Sequence, residues 1–193
     1  MDKIAKKAPS VQTLVLGAIL TAVVVVFQLL GSFIHLGPFS ISLVLVPIVV
    51  GAAKCGPKIS AWLGFVFSVV VLLTDAAAFL AVSVWGTIAT VLVKGTACGL
   101  VAGLIYQVFV KKNEYLGVMT AAIVCPLVNT GIFLLGCVLF FLETVTEWGL
   151  ALGFPNAFEY MIFGMAGGNF LVELLINIIL CPIIVRILNL NKK

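Results

Sequence analysis

The stretch VQTLVLGAILTAVVVVFQLLGSFI, residues 11–34, decides the fold. It carries no charged side chain, and a bilayer-spanning α-helix needs about 20 apolar residues in a row. Lys3, Lys6 and Lys7 precede it, as basic residues precede a secretory signal. A signal's apolar region is only about 7–15 residues long and is followed by a small-residue cleavage site. Neither condition is met, so the segment reads as an anchor. The rest of the chain repeats its character. Of 193 residues, 63% are hydrophobic and 9% charged, against about 25% charged in a soluble domain. A water-soluble globular domain is excluded. The chain must place its backbone in lipid with every hydrogen bond satisfied internally.

Breaks at polar residues, glycine and proline divide the sequence into six apolar runs, at about 11–34, 40–54, 59–74, 87–110, 116–142 and 157–187. The fold class that follows is an all-α integral membrane protein, a single domain over 1–193 with six transmembrane helices. The second and third runs are short and separated by Cys55-Gly56-Pro57-Lys58, which predicts a tight hairpin, with Pro47 bending the second helix. The alternative merges 40–74 into one re-entrant unit and gives five crossings. Strict two-residue alternation is absent, which excludes a transmembrane β-barrel. Ten of the eleven basic residues fall on one side of the six-helix arrangement: Lys3, Lys6, Lys7, Lys54, Lys58, Lys111, Lys112, Arg186, Lys192 and Lys193. The other side carries Asp75, Glu143, Glu147 and Glu159. Both termini are therefore expected in the cytoplasm. The outer breaks at 75–86 and 143–156 hold Trp85, Trp148, Phe154, Pro155 and Asn156, suited to covering a pocket or lying at the headgroup level.

Several chemistries drop out. Five cysteines is an odd number, and all but Cys55 sit in apolar runs. They read as small packing residues rather than a disulfide framework. No CxxC, HExxH or clustered His/Asp/Glu set suggests a metal, and no phosphate-binding loop suggests a nucleotide; no cofactor is expected. The single histidine, His35, lies near an outer helix end and leaves no Ser/His/Asp triad to assemble. The net charge of +4 is scattered, so nucleic acid is not a partner.

Ionisable residues at membrane depth are costly and point to function. Two qualify. Lys94 lies seven residues into the fourth run, about 10 Å below the outer edge at 1.5 Å per residue. Glu173 lies thirteen residues before Arg186, which places it at a similar level, and Asn129 in the fifth run reaches it too. Asn169, Glu173 and Asn177 recur every four residues as one polar stripe, which must face protein or water. Gly95, Gly99 and Gly103 have the same spacing on the fourth run and read as a close-packing ridge. Lys94, Asn129, Thr130, Asn169, Glu173 and Trp85 are thus the candidate substrate-binding residues. The competing reading makes Lys94 and Glu173 a buried ion pair that only fixes helix register.

With these features in place, the chain resembles the S components of energy-coupling factor (ECF) transporters, small membrane subunits that bind vitamins and related micronutrients. Ala18-Ile19-Leu20-Thr21-Ala22 matches the family's AxxxA motif. Leu43 to Gly51, followed by Gly56-Pro57-Lys58, is similar to its second helix and Gly-Pro turn, and Lys94 to Tyr106 to its fourth helix. Each motif alone is weak; their order over nearly the whole chain is specific.

The resemblance implies a pocket near the outer face, built mainly from the last three helices and capped by outer loops. It implies a transmembrane coupling subunit as partner, meeting Ala18 and Ala22, with two cytoplasmic ATPases. It further implies that the subunit topples in the bilayer of a prokaryotic plasma membrane to deliver its cargo. A buried lysine suits a carboxylate and amides suit hydroxyls, so pantothenate leads among candidate ligands, with pyridoxine-type compounds and folate open. Two other classes stand beside this one. A membrane-embedded enzyme would use Glu173 and Lys94 as acid and base on a lipid-soluble substrate. A structural subunit would bind no ligand.

Overall fold

A computed structural model of the chain describes residues 11–32, 35–36, 39–40 and 43–190. Lys3, Lys6, Lys7, Lys192 and Lys193 lie outside the described residues. The first run forms α1 (Val11–Gly31), which turns a narrow stripe of Gly17, Leu20, Val24 and Gln28 inward and leaves its other faces exposed. Two-residue strands follow, β1 (His35–Leu36) and β2 (Phe39–Ser40), paired antiparallel with His35 opposite Ser40.

The second helix differs from expectation. It starts at Leu45, not 40, and α2 (Leu45–Cys55) is 11 residues long. Proline lacks the N–H that a helix interior needs but is tolerated in the first turn, where that donor has no partner anyway. Starting at Leu45 puts Pro47 in the first turn, so it bounds the helix instead of bending it. At 1.5 Å per residue α2 spans about 16 Å, roughly half of a bilayer core of about 30 Å. Every residue from Leu45 to Ala52 is buried, so this half-length helix is sheathed by protein rather than lipid. Five helical stretches among the described residues are long and apolar enough to cross a membrane: Val11–Gly31, Pro57–Thr74, Val84–Phe109, Glu114–Phe140 and Ala157–Ile187. The described chain is therefore five full spans plus one buried half-span.

The hairpin between α2 and α3 (Pro57–Thr74) is as tight as its sequence suggests. Gly56 alone joins them, at φ 84°, a left-handed conformation that favours glycine, and Pro57 opens α3. The outer breaks are not loops. Residues 75–86 contain α4 (Ala77–Val82) and the start of α5 (Val84–Phe109), capped by the Ser83 hydroxyl, which accepts from Gly86 N at 3.2 Å. Asn113 caps α6 (Glu114–Phe140) by accepting from Tyr115 N at 2.8 Å. Residues 143–156 are largely α7 (Leu142–Ala151). The last run is α8 (Ala157–Glu159), a π-helical stretch Tyr160–Gly167, and α9 (Gly168–Leu190).

α5 is the central element, packed along α3 on one side and α6 on the other. Its glycine ridge explains the first contact. A side chain on Gly95 would run into Ser68 and the Gly64 carbonyl, one on Gly99 into the Ser60 carbonyl, and one on Gly103 into Pro57. The two backbones nearly touch, and Ser68 Oγ seals the contact by donating to Val91 O at 2.6 Å. Four of the five cysteines are buried and all five are free.

At one end of the bundle, Lys54 at the close of α2 pairs with Glu114 at 3.4 Å and bonds to Asn189, whose amide donates to Glu114 at 2.7 Å. The ends of α2 and α9 and the start of α6 therefore meet, at the end that also carries Lys58, Lys111 and Lys112. For a chain oriented by the positive-inside rule, fluorescent protein fused after Lys193 is expected to fluoresce in cells. Alkaline phosphatase inserted at Gly153, beyond α7, is expected to be active. Phosphatase activity at Lys193 instead would defeat that orientation.

Candidate ligand-binding cavity

In the half of the bundle away from the Lys54 cluster, the helices part around a cavity of about 100 Å³. Lys94 enters it from α5, Asn129 and Thr130 from α6, and Asn169 and Glu173 from α9. The structure thus brings five of the sequence-predicted residues to one space. Trp85 is not among its walls. It sits on the first turn of α5 with its side chain 83% exposed, where an amphipathic ring suits a membrane interface. Ala18 and Ala22 lie on exposed faces of α1, far from any role in the lining. Asn177, third in the polar stripe, is buried below the cavity and donates to the Glu173 carbonyl at 2.8 Å.

The common depth of these groups is greater than the sequence suggested. α5 begins at Val84 rather than 87, so Lys94 is ten residues in, about 15 Å from the helix end. Asn129 is eleven residues before the end of α6, about 16 Å.

Sequence reasoning missed three polar contributors. Gln28 of α1 is buried, and its amide nitrogen donates to Asp75 Oδ2 at 2.7 Å, an oxygen that also accepts from Thr74 Oγ1 at 2.7 Å. Asp75, read from the sequence as a mere outer charge, lines the cavity with Gln28 and with Thr90 of α5. Gln28 sits alone among apolar neighbours in the last turns of α1, and that isolation is the signal that could have found it.

Three buried side-chain oxygens in this lining, Gln28 Oε1, Thr90 Oγ1 and Asn129 Oδ1, have no hydrogen-bond partner. A buried polar atom left unsatisfied costs about 1–3 kcal/mol. All three belong to residues that line the cavity, so its polar wall is incompletely satisfied from within the chain. The apolar walls are aromatic. Phe79 of α4 meets Phe133, Phe141 and Trp148 edge-on, with centroids 5.8, 5.0 and 5.4 Å away. Phe79 and Phe141 line the cavity with Phe133, and Trp148 of α7 packs behind Phe79. Lys94 Nζ lies 5.2 Å from the Phe133 centroid and 5.7 Å from that of Phe67, within cation–π reach of both. The π-helical stretch contributes Met165 and Ala166 beside Asn169 and Glu173; π-turns are rare and concentrate at functional sites. Among the described residues no group of His, Cys, Asp and Glu could hold a metal.

A family model described as "ECF transporter, substrate-specific component" matches residues 12–185. Neither the curated proteins nor the solved structures compared with the chain match it. The match runs from the first turn of α1 to the last turns of α9 and takes in every wall of the cavity, and the chain belongs to the family of substrate-specific components of ECF transporters.

Proposed function

We propose that this chain captures a small water-soluble vitamin or related micronutrient from outside a prokaryotic cell and delivers it to the cytoplasm, working with a transmembrane coupling subunit and two ATPases. The observation that carries the reading is the cavity with its three orphaned oxygens. Lys94, Asn129, Thr130, Asn169 and Glu173 are its proposed binding residues, joined by Gln28, Asp75 and Thr90; Trp85 becomes an interface anchor. Pantothenate follows from Lys94 taken alone, its carboxylate against the ammonium. Two carboxylates in the same lining weigh against an anion.

The test is ligand binding by the purified chain in lipid nanodiscs, scored with mass spectrometry of compounds it retains. Tight binding without turnover supports the proposal. Turnover would favour a membrane enzyme, and failure to bind any water-soluble vitamin a structural subunit.

The partner surface is proposed on α1, where Ala18 and Ala22 share an exposed face that lets a second helix approach closely. Ala18→Trp or Ala22→Trp is expected to leave vitamin binding by the isolated chain unchanged and to abolish uptake in cells. Full uptake with both changes would place the interface elsewhere.

A further inference from the structure

The charged and polar groups of the cavity do not balance, and the imbalance describes the ligand. Its walls carry one ammonium, Lys94, against two carboxylates, Asp75 and Glu173. The Lys94 charge is already engaged. It lies over the faces of Phe67 and Phe133, with Glu173 and Asp75 in the same lining. Asp75 takes both side-chain bonds from Gln28 and Thr74 on Oδ2, which leaves Oδ1 for the cavity. Gln28 cannot turn round. A carboxylate only accepts, so the amide nitrogen must face Asp75 and the carbonyl oxygen must face away. That oxygen is one of the orphaned acceptors. The cavity therefore carries two carboxylates against one ammonium, and the unpaired Gln28 carbonyl adds a further acceptor beside Asp75.

We infer that the ligand is a small compound of net charge zero or +1 that presents a hydrogen-bond donor toward Asp75, and that Asp75, held by Gln28 and Thr74, is the carboxylate that recognises it. The inference rests on the binding role proposed above and names the chemistry that fills it. Phe79, Phe133 and Phe141 add aromatic walls that suit a ring. An anion would enter a site where acids already outnumber the single cation.

Three compounds on one pyridine ring isolate the charge: pyridoxamine carries an added ammonium, pyridoxine is neutral and 4-pyridoxate carries an added carboxylate. Calorimetric titration of the full chain in nanodiscs with these three and with pantothenate is expected to rank pyridoxamine and pyridoxine at least tenfold above 4-pyridoxate and pantothenate. Asp75→Asn keeps an oxygen for Gln28 and Thr74 but removes the charge. It is expected to weaken pyridoxamine binding about 10- to 100-fold, the worth of one charge-assisted hydrogen bond, and to leave 4-pyridoxate unchanged or tighter. Binding of either anion by the unaltered chain more tightly than pyridoxamine and pyridoxine, or unchanged pyridoxamine affinity in Asp75→Asn, overturns the inference. If none of the four binds, the remaining water-soluble vitamins are titrated in the same way. A best binder that is anionic then defeats the charge assignment alone, a neutral or cationic one supports it, and no binder at all defeats the binding role itself.

Discussion

Replacing Lys94 with methionine is expected to destabilise the folded chain by about 3–5 kcal/mol, because it removes the ammonium that shares the cavity with the buried Glu173 carboxylate. Methionine fills much of the same volume, so the loss reports charge rather than packing. Lys94→Met with Glu173→Gln is expected to recover most of that stability, since removing both charges of a buried pair is often close to neutral. Affinity measured on the same variants separates the two roles of the pair. If Lys94 and Glu173 also hold the ligand, the stable double variant binds about 10- to 100-fold more weakly, the value of about 1.5–3 kcal/mol for a lost charge-assisted bond. Unchanged affinity in that folded double variant would leave the pair as a device that fixes helix register. Thermal unfolding and calorimetric titration in nanodiscs supply both numbers.

The second large effect is expected at Gly99. A side chain there meets not a flexible neighbour but the Ser60 carbonyl and the Ala61 nitrogen of α3. Backbone cannot rotate out of the way, so α3 and α5 must separate. They would pull on α2 as well, because Ser60 Oγ donates to Ile48 O at 3.1 Å. Gly99→Leu should exceed the usual overpacking cost of about 1–3 kcal/mol and yield no monodisperse protein on gel filtration. Gly131→Leu is the control, since nothing lies within 4 Å of a side chain at Gly131. A well-behaved Gly99→Leu protein would show that the ridge is not where the two helices meet.

What could be read from the sequence follows from what is local. Membrane class needs only composition, and the breaks between helices need only the glycine, proline and polar residues between apolar runs. The approach of Lys94, Asn129 and Glu173 could be read because helical rise is constant, so counting residues from a run's end measures depth; Asn169 followed from its four-residue spacing to Glu173. The glycine ridge could be read for the same reason. Missing were features that depend on distant partners or on a single hydrogen bond. Gln28 and Asp75 are 47 positions apart, and nothing in either neighbourhood announces their bond. α4 and α7 are too short to show a period, although Ser83, the cap before α5, marks where one helix gives way to the next. Pro47 was legible in kind but not in place: whether it bends a helix or bounds one turns on a start that lies two residues away. Trp85 was chosen for its ring chemistry, and a ring suits a headgroup layer as well as a pocket.

Below the cavity the bundle axis is plugged. Cys98, Ala102, Ala121, Ala122, Cys125 and Cys181 are fully buried there, and beyond them Lys54, Glu114 and Asn189 tie the helix ends together. The cavity is a cul-de-sac. A hydrated cargo cannot advance through packed apolar side chains, because stripping its water with nothing to replace it costs several kcal/mol for each polar group. Passage by threading along the bundle axis is therefore closed in this arrangement of the helices. The same packed layer of small apolar side chains bars water and ions from crossing along the bundle axis, with or without a ligand above it.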